Sequence, residues 1–141
     1  MEKVNYRLIN HTADIGVEFT GNSLIEIFRN AALVIFDLIV GLDNIRMEEK
    51  VDFSLEENSL DNLFVFFLNE LIYYCFAKNF LGRDFSIKID GQYKLYVSMK
   101  GETKKEYHTI KEEIKAATFH NLILQKDKKT GTFFVRIIFD V

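Results

Sequence analysis

Apolar and polar residues along the chain switch between two periods, and the switch points outline the elements. Residues 6–9 and 15–20 read as short strands on either side of His11-Thr12-Ala13-Asp14, with Val17 and Phe19 alternating against Glu18 and Thr20. Gly21-Asn22 breaks that pattern. Ser23 then stands three residues before Glu26, the capping-box spacing, and Leu24, Ile27, Phe28, Ala31, Val34, Ile35 and Leu38 recur at helical intervals, predicting a helix over 24–39 that stops at Gly41. Residues 49–55 alternate as a strand. From Ser59 to about Lys78 a second helical pattern carries so wide an apolar face (Leu60, Leu63, Phe64, Phe67, Leu71, Tyr74, Cys75, with Phe66, Leu68 and Ile72) that the helix must be largely buried. Asp61, Asn62, Asn69 and Glu70 mark its wetter side.

The second half is strand-like. Residues 85–89, a turn at Asp90-Gly91, and 94–100 with Leu95, Val97 and Met99 on one face make one hairpin; 117–125 and 132–139, joined through 126–131, make another. Residues 112–116 suggest a single helical turn before the next strand, in an ambiguous pattern. Two helices with six or seven mostly antiparallel strands predict an α+β fold, the helices packed on one face of the sheet. No proline, linker, low-complexity tract or repeat marks a boundary, so residues 1–141 are expected to form a single domain.

Composition sharpens this picture. Fourteen Phe and six Tyr predict an aromatic core. The longest apolar runs, 31–36 and 63–68, fall far short of the roughly 20 residues a membrane span needs, and residues 1–7 lack the apolar stretch of a signal peptide, so a cytoplasmic protein with no membrane partner is expected. Cys75 is the only cysteine, so no intrachain disulfide can form, and its place in an apolar helical stretch makes it a small buried hydrophobe. A formal charge of −3 argues against binding nucleic acid through bulk electrostatics. Even the most basic segment, Lys100 to Lys115, also carries Glu102, Glu106, Glu112 and Glu113, as a solvated surface does.

Several chemistries lack their residues. There is no phosphate-cradling glycine loop, Gly101-Glu102 alone being uninformative, and no nucleophile elbow; His11, His108 and His120 show no zinc-ligand spacing. His11-Thr12-Ala13-Asp14 has an ordinary reading as a turn whose side chains satisfy backbone groups. The strand 133–139 leads into Asp140-Val141, which would place a side-chain carboxylate beside the terminal one. If Asp14 lies at that strand end, the converging oxygens favour a hard divalent cation: Ca²⁺, Mg²⁺ or Mn²⁺.

The opening His11-Thr12-Ala13-Asp14-Ile15-Gly16, the helix from Ser23-Leu24 through Asn30-Ala31-Ala32 to Phe36-Asp37-Leu38, and Leu68-Asn69-Glu70-Leu71 resemble the archease family. So do Gly101-Glu102, Glu113-Ile114-Lys115-Ala116-Ala117-Thr118-Phe119-His120 and the final Ile137-Ile138-Phe139-Asp140-Val141, in order and nearly over the full length. The sequence departs modestly at residues 73–78 and in Ala117-Thr118-Phe119-His120, where Val-Thr-Tyr-His is common.

That resemblance implies an accessory protein and not an enzyme: an activator of the RtcB-type RNA ligase, which joins RNA halves during tRNA splicing and repair, with tRNA engaged only indirectly through the ligase. It implies promotion of ligase guanylylation and of multiple turnover. It assigns a metal site, of calcium type with Mg²⁺ or Mn²⁺ as alternatives, to Asp14, Asp140 and a main-chain or terminal oxygen of Val141. Lys115 matches the functional lysine of the family's E-[VI]-K-A segment. His11, in the opening motif, would orient Asp14, hold the loop or touch metal, and His120 ranks below the aspartates. Two competing readings are a chaperone-like modulator of a tRNA methyltransferase, which needs no metal, and a metal-dependent phosphohydrolase built on Asp14, Asp140 and His11.

Overall fold

The computed structural model describes residues 3–11 and 13–141, with Asn10 and His11 described for their backbone alone. Strands Arg7–His11 (β1) and Asp14–Gly21 (β2) precede helix Leu24–Ile39 (α1), a 3-10 turn at Leu42–Asn44, and strand Glu49–Glu56 (β3). Helix Leu60–Phe76 (α2) is followed by Phe80–Asp90 (β4), Lys94–Thr103 (β5), Ala116–Lys126 (β6) and Phe133–Asp140 (β7). The fold is α+β with antiparallel pairing throughout, as expected. The strands divide into two sheets, ordered β1-β2-β7-β6 and β3-β5-β4, and each helix packs against strands of both.

Helix α1 keeps its predicted bounds because its ends are chemically marked. Ser23 Oγ accepts the Glu26 amide at 3.1 Å, and Gly41 adopts φ +85° while its amide donates to Asp37 O at 2.9 Å. Helix α2 is capped likewise by Ser59, whose hydroxyl accepts the Asn62 amide, but it ends at Phe76, short of Lys78, since the chain turns through Asn79 at φ +56° into β4. β4 starts five residues before the strand pattern predicts. Its first half, Gly82-Arg83-Asp84, contains a register shift against β5 that scrambles the alternation. The predicted turn of helix at 112–116 does not form: Ile114 is buried and the Lys115 amide donates to Asp140 O, leaving no i−4 bond to build on.

Residues 31–36 of α1 are all buried, as a helix touched from both sides requires. Phe28 meets Phe64 edge-on at 5.1 Å and lies 5.5 Å from Phe67, joining the helices. Phe53 of β3 stacks on Phe67 and Tyr74, and Phe36 on Phe85. The expected aromatic core is thus real, although several rings stay outside it: Phe66 points out and meets Phe119 of β6, both substantially exposed, and Tyr73 and Phe76 are exposed as well. Cys75 is buried as expected, which pushes its thiol pKa up to about 12. Among the described residues no helix is long and apolar enough to cross a membrane.

Candidate functional site

The four-stranded sheet decides which residues meet. In the β2–β7 register Asp14 faces Asp140, and in the β6–β7 register Ala116 faces the same Asp140, while the His11 backbone pairs with Asp14 on β1. Directly opposed residues of antiparallel strands present their side chains on one face, with Cβ atoms about 4.5–5.5 Å apart. The two aspartates therefore share one end of one sheet face, Asp14 half-buried and Asp140 exposed. Ala13, in the tight turn from β1 to β2, takes φ +65°, a left-handed conformation costing an L-residue roughly 1–2 kcal/mol.

Val141 is half-buried and packs against the core, which anchors the chain just beyond Asp140 and keeps main-chain oxygens beside the carboxylates. Lys115 is exposed, and its amide donates to the Asp140 carbonyl at 2.8 Å, so the backbone leading into β6 is tied to the same strand end. Beside it, Ile72, Tyr73, Phe76 and Ile114 line a shallow apolar groove.

His120 sits elsewhere. It is exposed, beyond Thr118 in the stretch where the β6–β7 register breaks, and its Nε2 lies 3.3 Å from Asn121 Nδ2, with Asn121 at φ +53°. The His11 side chain lies outside the described residues.

Among the described residues, no group of three or more His, Cys, Asp or Glu side chains gathers in a metal-binding arrangement. Among the described residues, the side-chain donors at the strand end are the two aspartates, and main-chain oxygens and water could add to them around a cation. An oxygen set of this kind suits Ca²⁺, Mg²⁺ or Mn²⁺.

Several polar residues make contacts that their place in the sequence does not announce. Asn69, assigned to the wet side of α2, instead clamps the edge of β6: its Oδ1 accepts the Ala117 amide at 2.8 Å and its Nδ2 donates to the Ala117 carbonyl at 3.1 Å. Glu18, expected on a solvated face, is buried beneath Arg7 and Arg136, with the Arg136 Nε–Oε2 bond at 2.7 Å and a short contact to Arg7. His108 and Glu102 are buried together. For Asn69 the available signal was an amide interrupting an apolar helix face one turn from Phe66.

The chain matches the archease protein family over residues 6–141. It is 35% identical over 135 residues to the archease of Pyrococcus furiosus, spanning 93% of this chain and 94% of that one. Identity to the Sulfolobus acidocaldarius archease is 31% over 143 residues, covering 96% and 98% of the two chains. Among solved structures, a protein of Methanobacterium thermoautotrophicum superposes with a TM-score of 0.79 at 28% identity, covering 96% of this chain and 98% of that one. An archease of Thermotoga maritima, described as a possible chaperone, superposes with a TM-score of 0.69 at 27% identity, covering 100% and 98%. With a family match over nearly its whole length and relatives above 30% identity, this chain belongs to the archease family.

Proposed function

We propose that this archease activates an RtcB-type RNA ligase in the cytoplasm by presenting the Asp14–Asp140 carboxylate pair and Lys115 at the site where the ligase is guanylylated. Family membership supports the general activator role, and archeases are accessory proteins and not enzymes in their own right. The observation that supports the specific form is the β2–β7 register, which sets Asp14 opposite Asp140.

Asp14 and Asp140, with a main-chain oxygen of Val141, would hold a divalent cation, calcium by family type, with Mg²⁺ or Mn²⁺ as alternatives. When bound, it would supply positive charge against a triphosphate and its departing pyrophosphate. Asp14 is half-buried, and the backbone bond from Lys115 to Asp140 roots an exposed lysine side chain, with its ammonium group, on the strand end that carries the pair. That ammonium can meet a phosphate or an acidic ligase side chain. His11 orients Asp14 or the turn that carries it, and His120, farther along β6, ranks below the aspartates as a further activator residue. Spliced tRNA would reach the complex through the ligase, consistent with a net charge of −3 on the activator.

The exposed rings of Phe66, Tyr73, Phe76 and Phe119 favour a second reading, in which the protein binds another protein, such as a tRNA methyltransferase, as a chaperone and without metal. Multiple-turnover ligation of split RNA by a purified RtcB-type ligase, with GTP and Mn²⁺, separates the two. Wild type should stimulate ligation, and Asp14→Ala and Asp140→Ala should not, while both variants keep the fold. Full stimulation by both variants would reject the carboxylate-pair mechanism.

A further inference from the structure

Between β5 and β6 the chain crosses from one sheet to the other through residues 104–115, which contain no helix or strand. So long an irregular connection inside a compact fold is uncommon and is often tied to function. This one is fastened at each stage. The Lys104 amide donates to Asn79 O at 2.7 Å, the Lys111 amide to Ile39 O at 2.7 Å, the Ile114 side chain is buried, and the Lys115 amide ends on Asp140 O.

The fastening nearest β5 is a buried polar cluster. His108 Nδ1 accepts the Lys105 amide at 2.8 Å, which assigns the ring proton to Nε2, and Nε2 lies 3.1 Å from both Asn44 O and Glu102 Oε2. Glu102 Oε2 also accepts the Arg46 amide at 2.7 Å, and Oε1 accepts the Tyr107 hydroxyl at 3.0 Å. Burial pushes the Glu102 carboxyl up, but the bonds from Arg46, Tyr107 and His108 outweigh it and hold the group below its ordinary pKa. The two side chains are 0% and 1% exposed. They join the crossing to the 3-10 turn after α1 and to the end of β5. A fully satisfied buried network of this kind specifies one backbone arrangement, because every alternative leaves a polar group unpaired out of water.

We propose that Glu102 and His108 are positioning residues for ligase activation: they latch the 104–115 strap so that Lys115 stays beside the Asp14–Asp140 pair. The inference rests on the functional reading above. Neither residue touches the ligase; both act through the placement of Lys115. A displacement of about 1 Å in a charged group can cost up to a hundredfold in rate.

The test combines exchange and epistasis on the full chain. In His108→Ala, amide hydrogen exchange at Lys111 and Lys115 should rise about tenfold or more, while amides of β2 keep their protection. Stimulation of ligation should fall by roughly tenfold to a hundredfold, yet His108→Ala should add no further loss in a Lys115→Ala background. His108→Gln, whose amide can still donate towards Glu102, should recover part of both. If His108→Ala does not fold, Tyr107→Phe removes a single bond to Glu102 from an exposed ring and should show the same pattern more weakly. Unchanged Lys115 exchange, or losses that add in the double variant, would overturn the latch. Lys115→Ala with full stimulation would instead reject the functional reading, and the exchange data would still decide the latch.

Discussion

Asp14 and Asp140 are direct partners across β2 and β7, brought from opposite ends of the chain to one position on the sheet. Like charges placed directly opposite on antiparallel strands are destabilising. The β2–β7 ladder continues from this pair through seven further register pairs to Gly21 and Phe133, so the strands cannot slide apart to relieve the repulsion without inverting the buried face. Unfavourable placement of two charges at a rigid strand end is the arrangement a cation would reward.

The first prediction follows from that balance. In chelator, Asp140→Asn should be at least as stable as wild type, because it relieves the repulsion, and Asp14→Asn serves as a second variant that removes the other carboxylate. Added Ca²⁺ should raise the wild-type melting temperature, by an amount equivalent to about 2.7 kcal/mol at a hundredfold excess over Kd, and should leave the variants unmoved. Thermal melts with and without millimolar Ca²⁺, Mg²⁺ and Mn²⁺ provide the check. A wild-type melting temperature indifferent to all three cations would show that the carboxylates bind no metal.

A second prediction concerns pH. The Glu18 carboxyl is held below its ordinary value of 4.5 by the bond from Arg7, then by that from Arg136, against the opposing effect of burial. A depressed folded pKa means that the unfolded chain takes up the proton first, so this contribution is fully present above about 4.5 and is lost as the pH falls through the folded value. Both guanidinium groups are partly solvated, Arg7 at 74% and Arg136 at 37%, which limits the contribution to on the order of 1 kcal/mol at neutral pH. Urea unfolding of wild type and Glu18→Gln should show a gap of that size at pH 7 that narrows below pH 4.5. A gap independent of pH would place the stabilisation in shape and not in charge.

These two sites differ in how far the sequence discloses them. Helix α1 was legible to the residue, since Ser23, Glu26 and Gly41 mark its ends by local chemistry. Strand β5 was legible through alternation, and β7 through its short apolar run, broken only by Arg136. The early half of β4 was not, because a register shift near Gly82 leaves Arg83 buried where alternation alone gives no reason for it. Asp14 and Asp140 could be named as candidates by resemblance, but their adjacency depends on a pairing between the first and last parts of the chain, which no local pattern encodes. Glu102 and His108 were hidden for a different reason: in sequence they belong to a mixed-charge stretch that reads as solvated, and their burial depends partly on the distant partners Arg46 and Asn44.

The last prediction tests the platform under the latch. Gly101 lies on β5 between Glu49 of β3 and Gly82 of β4. A Cβ there would fall 1.8 Å from the Leu81 carbonyl oxygen and 2.8 Å from its carbon, and these are backbone atoms, so no side-chain rotation can relieve the clash. β4 and β5 would have to separate where Glu102 begins its bonds to Arg46, Tyr107 and His108. Gly101→Ala should therefore cost about 3 kcal/mol or more. Gly91, at the β4–β5 turn, supplies the control, because a Cβ built there meets nothing within 4 Å, and Gly91→Ala should stay within about 0.5 kcal/mol of wild type. Urea denaturation of the two variants measures the difference directly. Equal stability would mean that the two strands can part at Gly101 at little cost, and the requirement for glycine beside Glu102 would then have no steric basis.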